Sequence, residues 1–255
     1  MGSNQEIGAP LLSVVVPCFN EGPQIKLFLN NVTDYLGFRE FQSEILVVDD
    51  ASTDDTDRVL SEYRKKPPFR IFRNSSNRGK GYSVKKGVMS SKGSYILVVD
   101  ADSAYKISAL DDLLTPLRKG QSHIALGNRR MFHSRFVLTP KYLPYVYVRH
   151  LTGVMFNLIA RLTVLPGFTD TQCGYKCFTR KAALDIFSRL KIPGFCFDVE
   201  ALALAVKLGY DCLDVPVTFY YYGEPSSIRF FPHMFYFLRD LFLIRRNIVL
   251  GVYDD

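Results

Sequence analysis

The sequence lacks long hydrophobic segments and any sign of a secretion signal. No uncharged apolar run reaches the roughly 18 residues that a membrane-spanning helix needs. Residues 1–10 are short and polar and contain no apolar core of a signal peptide. We therefore expect a cytoplasmic protein rather than a secreted or integral membrane protein.

Cysteine and histidine are also scarce. The five cysteines are an odd number without the spacing of a disulfide framework, which favours a reducing compartment. Cys173 and Cys177 are not accompanied by a second Cys or His pair, so no zinc site is predicted and buried thiols are expected. The four histidines are isolated from one another and none has a visible nucleophile partner, so no catalytic triad is predicted.

Acidic residues are absent from one long segment. Residues 113–169 contain eight Lys or Arg and no Asp or Glu. Residues 1–105 hold 13 basic and 13 acidic side chains, whereas residues 106–255 hold 19 and 12, so the surplus of +7 lies in the second part. The acid-free segment is either a solvated basic face or a surface for an anionic partner such as phosphate, lipid or nucleic acid.

Short apolar segments that alternate with helical ones dominate the first part of the chain. A content of 47% hydrophobic and 22% charged residues excludes a disordered, collagen-like or coiled-coil protein. Three short runs rich in Val, Ile and Leu are typical of strands buried on both faces: residues 12–16, 44–48 and 95–99. Helical patterns lie between them, at residues 23–36, 54–64 and 79–90. This alternation predicts βαβ units in a doubly wound, mainly parallel α/β sheet.

The second part of the chain has a looser pattern. A Pro- and Tyr-rich stretch at 139–147 precedes a predicted helix at 148–164, and further strands are predicted at 175–178 and 212–220. No composition break marks a linker and no internal repeat is present, so we predict one domain.

Acidic residues follow all three of the buried runs, beginning with Glu21 after the first. Asp100 and Asp102 come directly after the third run, and in an extended segment residues two apart point the same way. Two carboxylates on one side make a hard-oxygen site for Mg²⁺ or Mn²⁺, with nucleotide phosphates as further ligands. The alternative is a turn with two solvated acids, but ligands of open α/β sheets bind at the carboxyl ends of strands, which favours the metal site.

Two further motifs lie at strand or helix ends. Asp50 ends the second run and either accepts hydrogen bonds from a base or ribose or caps the next helix. Lys80 lies in the sequence NRGKG at a helix start, where backbone N–H groups and the helix dipole favour phosphate. The motif lacks the spacing of a P-loop, and a plain glycine turn is the alternative.

Five segments in this order carry a resemblance to a known family: VVVPCFNE, VVDDASTDDT, NRGKG, VVDADS and DTQCGYKCF. They resemble family-2 glycosyltransferases of GT-A fold, and more narrowly the dolichyl- and polyprenyl-phosphate glycosyltransferases. The resemblance covers about residues 12–230, and the sequence from Asp170 to Lys176 is closer to the dolichyl-phosphate β-glucosyltransferase branch than to the mannosyl branch. It implies a tail at 1–10, a GT-A domain at 11–230, and a C-terminal amphipathic helix and tail at 231–255 within the same domain.

The resemblance also implies a role for each matching position. The nucleotide base and ribose would contact Pro17, Phe19, Glu21 and Asp50. The metal and the diphosphate would be held by Asp100 and Asp102, with Ala101 and Lys80 also in the donor site. Arg129 would face phosphate and Asp170 would lie near the acceptor. Ser227 and Arg229 would close over the diphosphate, and Arg229 would offset charge on the leaving group together with the metal.

Three positions depart from the family pattern. Phe19 stands where Tyr is usual, Ala51 stands where Gly is common, and the residues 103–105 that follow the acidic pair also differ. The last of these departures lies at positions that bear on the identity of the donor sugar.

The C-terminal stretch, residues 231–250, reads as an amphipathic helix. Its predicted polar face carries Asp240 and Asn247, and Arg245 falls within the broad apolar arc. The apolar face either packs in the core or lies on a membrane interface, with Arg245 reaching a lipid phosphate.

The resemblance, together with the acidic pair, implies an inverting, metal-dependent enzyme that moves a sugar from a nucleotide diphosphate to a polyprenyl phosphate. UDP-glucose is the favoured donor, and the protein would contact an anionic membrane peripherally on its cytosolic face. One alternative uses GDP-mannose or a hydroxyl acceptor, for which Asp170 would be the base. Another is a non-catalytic protein of this fold that binds lipid or RNA, although nucleic acid is not the expected partner.

Overall fold

The computed structural model describes residues 10–102, 104–221 and 230–254. Its nine strands within these ranges are β1 Leu12–Cys18, β2 Ser43–Asp49, β3 Phe69–Arg73, β4 Tyr95–Val99, β5 Ile124–Asn128, β6 Arg135–Leu138, β7 Tyr175–Thr179, β8 Cys212–Pro216 and β9 Thr218–Tyr221. Its α-helices there are α1 Gly22–Gly37, α2 Thr56–Ser61, α3 Lys80–Ser90, α4 Leu110–Arg118, α5 Leu143–Thr163, α6 Arg180–Arg189, α7 Phe197–Lys207 and α8 Phe230–Val249.

Seven strands form one sheet in the order β3-β2-β1-β4-β7-β5-β8. The pairs β1–β2, β1–β4, β2–β3 and β5–β8 are parallel, which confirms the predicted mainly parallel sheet. Strand β7 lies antiparallel between β4 and β5. The carboxyl ends of β1, β2 and β4 therefore meet at one edge, and the antiparallel strand β7 begins at that same edge. A separate two-stranded sheet pairs β6 with β9.

Helices cover both faces of the large sheet. Alternate side chains of β1 enter opposite cores, with Val14 and Val16 on one face and Val15 on the other. The first face packs against α1, α2 and α4, and the second against α3, α5, α6, α7 and α8. Because β1, β2 and β4 are buried on both sides, they need a continuous apolar sequence. The three apolar runs of the sequence therefore predicted these strands correctly.

Three boundaries differ from the sequence predictions. Helix α5 begins at Leu143 rather than at residue 148, because Pro144 lies in its first turn, where a missing N–H group costs nothing. The single strand predicted at 212–220 is two strands, since β8 joins the large sheet and β9 joins β6. Strand β6 was not predicted, because its residues are largely exposed and carry no buried apolar alternation.

Helix α8 buries a different face from the one predicted. Phe237, Leu241 and Ile244 enter the core, but Asp240 and Asn247 are buried beside them. Asp240 and Asn247, which were placed on the polar face of the predicted helix, are thus buried together with part of its apolar face. Their burial is accommodated by hydrogen bonds, from Arg239 to Asp240 at 2.7 Å and from Asn247 to the Tyr253 hydroxyl at 3.4 Å.

Arg245 is exposed on α8 and contacts α5, while its predicted contact with a lipid phosphate stays a prediction. Its guanidinium donates to the carbonyl of Thr163 at the end of α5, at 2.6 Å, and so ties the two helices together. A second contact between them is the ring pair of Phe156 and Phe237, whose centroids are 4.7 Å apart. Within the described ranges, no helix combines the length and the apolar character needed to cross a membrane.

The packing of α3 on the sheet gives a first prediction. A Cβ atom on Gly87 would lie 2.5 Å from Cγ1 of Val15 and 3.3 Å from Cγ2 of Val48. We expect Gly87→Ala to lower the free energy of unfolding by about 1–3 kcal/mol, because the added methyl group overpacks this contact. Urea denaturation monitored by circular dichroism measures the change.

Gly153 in α5 is the matched control for this substitution. No atom lies within 4 Å of the position that its Cβ would take. We expect Gly153→Ala to raise the free energy of unfolding by about 0.5–1 kcal/mol, because alanine loses less backbone entropy in a helix. Equal effects of the two substitutions would contradict the close approach of α3 to β1.

Candidate functional site

The candidate site lies at the sheet edge where β1, β2 and β4 end. The loops that follow β1 and β2 are joined by two hydrogen bonds: the Asn20 N–H donates to Ser52 Oγ at 2.9 Å, and the Thr53 N–H donates to Asn20 Oδ1 at 2.8 Å. Both loops contain a non-glycine residue with positive φ, Asn20 at 56° and Ala51 at 61°. The position where the family commonly has glycine is thus in the left-handed region, where Ala51 is strained.

Asp50 organises the loop that leads into α3. Its Oδ1 accepts hydrogen bonds from the Asn74 side chain at 2.7 Å and from the Arg78 N–H at 2.9 Å. Its Oδ2 accepts one from the Gly79 N–H at 2.8 Å. Asp50 is buried, and both oxygens are engaged by the chain itself. It therefore fixes the backbone next to Lys80, while its predicted contact with a base or ribose stays a prediction.

Asp100 and Lys80 form an ion pair at the end of β4. The ammonium of Lys80 lies 2.7 Å from Oδ1 and 2.8 Å from Oδ2 of Asp100, and the contact with Oδ2 has hydrogen-bond geometry. Burial acts to lower the pKa of Lys80, but the charges of Asp100, Asp198 and Asp102 outweigh it and the pKa is raised. The carboxylate of Asp100 also lies against Gly174, where any Cβ atom would overlap it.

Asp102 stands in a turn rather than in an extended segment. Residues 101 and 102 form that turn, and Asp102 Oδ1 accepts a hydrogen bond from the Ala104 N–H at 3.0 Å. The reason given for placing Asp100 and Asp102 on one side, an extended backbone, was therefore wrong. Both residues still lie at the same strand end, with the buried Ala101 between them.

The pKa of Glu21 reflects the negative charge of the carboxylates at this edge. Its pKa is raised to about 7, first because the carboxyl is buried and then because Asp102 and Asp100 repel its charge. Carboxylate oxygens are the ligands that Mg²⁺ and Mn²⁺ prefer, and excess negative charge favours a cation. In the described part of the chain no three or more Asp, Glu, His or Cys residues form a metal-binding group. The site thus fits a cation that takes one or two carboxylates here and its other ligands from a bound phosphate group.

Arg129 and Asp170 form a second ion pair, across the sheet edge from the first. Arg129 Nε and Nη2 donate to the two oxygens of Asp170, each at 2.8 Å, and the Arg129 backbone N–H donates to Oδ2 at 3.0 Å. Burial acts to raise the pKa of Asp170, but these bonds and the charge of Arg129 lower it to about 2. Asp170 is therefore a buried carboxylate that holds Arg129, and its low basicity disfavours a role as a general base.

Two asparagines fix the loop that carries Asp170. Asn128, the last residue of β5, donates to the Thr169 hydroxyl at 2.5 Å. Asn157 of α5 donates to the Thr169 carbonyl at 2.8 Å and accepts from the Thr171 N–H at 3.0 Å. The position of Asp170 thus depends directly on α5.

The structure adds a buried ion pair that the sequence did not predict. Lys176 of β7 donates to Asp198 at 2.6 Å and to the Cys173 carbonyl at 2.5 Å. Lys176 and Asp198 are both buried, and Asp198 also contributes to the raised pKa of Lys80. A lysine inside an otherwise apolar strand was the available signal, because buried lysines are rare unless they are paired.

Three of the remaining predicted site residues lie within the described ranges, and two do not. Pro17 is buried within β1, while Phe19 is 41% exposed at the site and Glu21 lies beside it. Ser227 and Arg229 fall outside the described residues. The cysteines of the described ranges are all free, as expected, and burial raises the pKa of Cys173 to about 11.

Comparison with known proteins bears on the whole chain. The sequence model of the family described as "Glycosyl transferase family 2" matches residues 13–187. The chain is 32% identical to the dolichyl-phosphate beta-glucosyltransferase of Dictyostelium discoideum, over 95% of this chain and 76% of that protein. It is 30% identical to the protein of the same name from Saccharomyces cerevisiae, over 100% of this chain and 80% of that protein.

Solved structures confirm the predicted fold. The glucosyl-3-phosphoglycerate synthase of Mycobacterium tuberculosis in complex with UDP superposes with a TM-score of 0.63, at 18% identity, covering 96% of this chain and 80% of that chain. The same enzyme in complex with Mn²⁺, UDP-glucose and phosphoglyceric acid gives a TM-score of 0.60 at 16% identity, over the same shares of both chains. At these identities the likeness concerns the fold.

The pairing of Asp170 with Arg129 predicts a pH-dependent stability. Because the pKa of Asp170 in the folded chain, about 2, lies below its ordinary value of 3.8, the carboxylate stabilises the fold above pH 4. That contribution, about 2 kcal/mol, is lost as the pH falls from about 4 to about 2. We expect Asp170→Asn to destabilise the protein by about 2–4 kcal/mol at pH 7, since it also leaves Arg129 unpaired.

Urea denaturation at pH 7 and pH 3 measures this effect. The difference in free energy of unfolding between wild type and Asp170→Asn should be smaller at pH 3. Asp55→Asn is the control, because Asp55 pairs with Arg58 in full solvent and screening leaves such a pair little effect. A difference that stays constant across this pH range would contradict the low pKa of Asp170.

Proposed function

Because the chain belongs to glycosyl transferase family 2, we propose that it transfers glucose from UDP-glucose to dolichyl phosphate, with inversion at the sugar carbon. The names of the relatives that align over most of the chain support the sugar and the acceptor. The observation in the structure that carries the proposal is the state of Asp170. A hydroxyl acceptor needs a base, and the residue expected to supply it is held as a carboxylate with a pKa of about 2.

A phosphate acceptor needs no such base. Its oxygen is already ionised at neutral pH and attacks the sugar carbon directly, while the bond from that carbon to the UDP diphosphate breaks and the electron pair leaves with the diphosphate. In this reaction Asp170 orients Arg129. Two of the five guanidinium N–H groups donate to Asp170, which leaves the others to face phosphate. The GDP-mannose alternative differs in the donor and is separated by experiment below.

The donor would lie along the edge formed by β1, β2 and β4. Phe19 and Glu21 are at its surface, Pro17 and Asp50 are buried beneath it, and Lys80 stands at the start of α3. Asp100 and Asp102 would hold a divalent cation, Mg²⁺ or Mn²⁺, which when bound offsets the charge that develops on the departing diphosphate. The roles of Ser227 and Arg229 as closing residues rest on the family resemblance alone.

We propose that α5 and α8 hold the protein peripherally on the cytosolic face of an anionic membrane. Leucine and tyrosine side chains at helical spacing are exposed along α5: Leu143, Tyr147, Leu151, Leu158 and Leu162. A second exposed apolar row follows α8: Phe235, Leu238, Phe242 and Val249. Together, the two rows on these packed helices form a larger exposed apolar surface than the scattered apolar residues of an ordinary protein.

The charges around these rows fit an anionic lipid surface. Lys141 just before α5, Arg161 in its last turn, and Arg239 and Arg246 on α8 are exposed, whereas Asp240 is buried. Each basic residue near an anionic leaflet contributes about 1 kcal/mol. Because α5 also fixes the Asp170 loop through Asn157, this placement would bring Asp170 and Arg129 near a lipid-borne phosphate.

A transfer assay tests the activity. The purified protein is incubated with dolichyl phosphate, Mn²⁺ and radiolabelled UDP-glucose or GDP-mannose in detergent, and labelled lipid is measured. We expect glucosyl lipid from UDP-glucose, and a loss of roughly 100-fold or more in Asp102→Asn, since charge on the leaving group is then less compensated. Asp55→Asn, an exposed control, should retain activity.

Efficient transfer from GDP-mannose in place of UDP-glucose would contradict the proposed donor. Transfer to dolichol as readily as to dolichyl phosphate would contradict the proposed acceptor and restore the need for a base.

Vesicle binding tests the membrane surface. We expect co-sedimentation with phosphatidylcholine vesicles that contain phosphatidylserine, weakened but not abolished by high salt, because salt screens the charges and not the apolar contact. Phe242→Glu and Leu158→Glu should each reduce binding several-fold, since they place a charge in the apolar rows. Phe38→Glu is the matched control, because Phe38 is 89% exposed at the end of α1, which packs on the opposite face of the sheet.

Melting curves establish that each variant is folded. Absence of vesicle binding at low salt from folded wild-type protein would contradict the membrane proposal.

A further inference from the structure

The ammonium of Lys80 lies where a bound metal cation would contact the carboxylate of Asp100. Its ammonium is within 2.8 Å of both carboxylate oxygens, so the charge of Asp100 is matched by a lysine. The ammonium also lies 5.9 Å from the ring centroid of Phe197.

The backbone around Lys80 is held firmly, so this contact is not the chance position of a surface lysine. A Cβ atom on either neighbour, Gly79 or Gly81, would overlap the carbonyls of the loop at 192–193. The Tyr82 N–H donates to the Pro193 carbonyl at 3.1 Å, which fixes the same segment.

That loop is in turn anchored from α7. The buried carboxylate of Glu200 accepts hydrogen bonds from the N–H groups of Lys191 at 3.0 Å and Ile192 at 2.8 Å. The start of α3 is thus clamped between Asp50 on one side and the loop on the other, and Lys80 can change partner only by rotating its own side chain.

We propose that Lys80 is an exchangeable counter-ion of the metal site: it neutralises Asp100 in the empty protein and moves to the diphosphate of the donor when a divalent cation takes the carboxylate. This inference rests on the proposed function, because it assumes a nucleotide diphosphate and a cation at this edge. If Lys80 exchanges in this way, the cation and the nucleotide diphosphate each favour the binding of the other.

The reason is electrostatic. A divalent cation that binds alone must displace an ammonium from Asp100 and leave that ammonium close by, where the two positive charges repel each other. A diphosphate removes this penalty because it gives Lys80 a new anionic partner. Cation and nucleotide then strengthen each other's binding, by the same factor in either order.

A purely structural role for Lys80 gives the opposite expectation. If the lysine serves only to hold Asp100 in place, its removal leaves the carboxylate less ordered, and cation binding becomes weaker or stays unchanged. Whether removal of Lys80 strengthens or weakens cation binding in the absence of nucleotide therefore distinguishes the two roles.

Electron paramagnetic resonance of free Mn²⁺ tests the proposal without any assay of activity. Wild type, Lys80→Met and Lys80→Gln are titrated with Mn²⁺ to millimolar concentration, each with and without UDP. We expect both variants to bind Mn²⁺ alone roughly tenfold more tightly than wild type, and the enhancement by UDP to shrink by a similar factor. Lys80→Gln carries the test if Lys80→Met does not fold.

Lys85→Met is the matched control, because it removes the same charge from the same helix. Lys85 donates to the carbonyls of Ser188 and Leu190, each at 2.9 Å, and has no contact with Asp100. It should leave Mn²⁺ affinity unchanged.

Unchanged or weaker binding of Mn²⁺ alone in the folded Lys80 variants would overturn the proposal. If wild type binds UDP with Mn²⁺ and the variants still show no gain, only the role of Lys80 fails. If wild type binds neither UDP nor GDP in the presence of Mn²⁺, the proposed function fails as well.

Discussion

Burial of β1, β2 and β4 on both faces is the constraint from which the arrangement of the site follows. A strand covered by helices on each side can carry few polar side chains, so ionisable groups begin where these strands leave the core. Parallel pairing then brings those ends to one edge of the sheet. The acidic residues after β2 and β4 and the loop that carries Glu21 are neighbours for this reason alone, although they are far apart in the sequence.

Most of the carboxylates gathered at that edge have partners within the chain. Asp50 takes two backbone N–H groups and a side-chain amide, Asp100 takes Lys80, and Asp170 takes Arg129. Glu21 is the exception in its ionisation, since its neighbours are other acids and its pKa is raised. Three of the carboxylates at this edge are therefore paired within the chain, while the acids around Glu21 leave a local excess of negative charge.

The sequence was sufficient for the features that depend on local pattern. Continuous apolar runs gave the buried strands, and acids directly after them gave the edge where the site lies. It could not show that Arg129 and Asp170 form an ion pair, because that contact joins the end of β5 to the segment before β7. Local periodicity does not predict which strands are neighbours in the sheet. The burial of Asp240 and Asn247 was missed for a related reason: a polar side chain at a core position is satisfied by partners from other elements, such as Tyr253.

The contact between Gly174 and Asp100 has a consequence for how this protein can vary. Gly174 belongs to the segment that resembles one branch of the family, and any side chain there would collide with the carboxylate of Asp100. A side chain at position 174 therefore requires the carboxylate of Asp100 to rotate away from the position in which it pairs with Lys80. The absence of a side chain at Gly174 is therefore part of what lets Asp100 keep its present orientation at the end of β4.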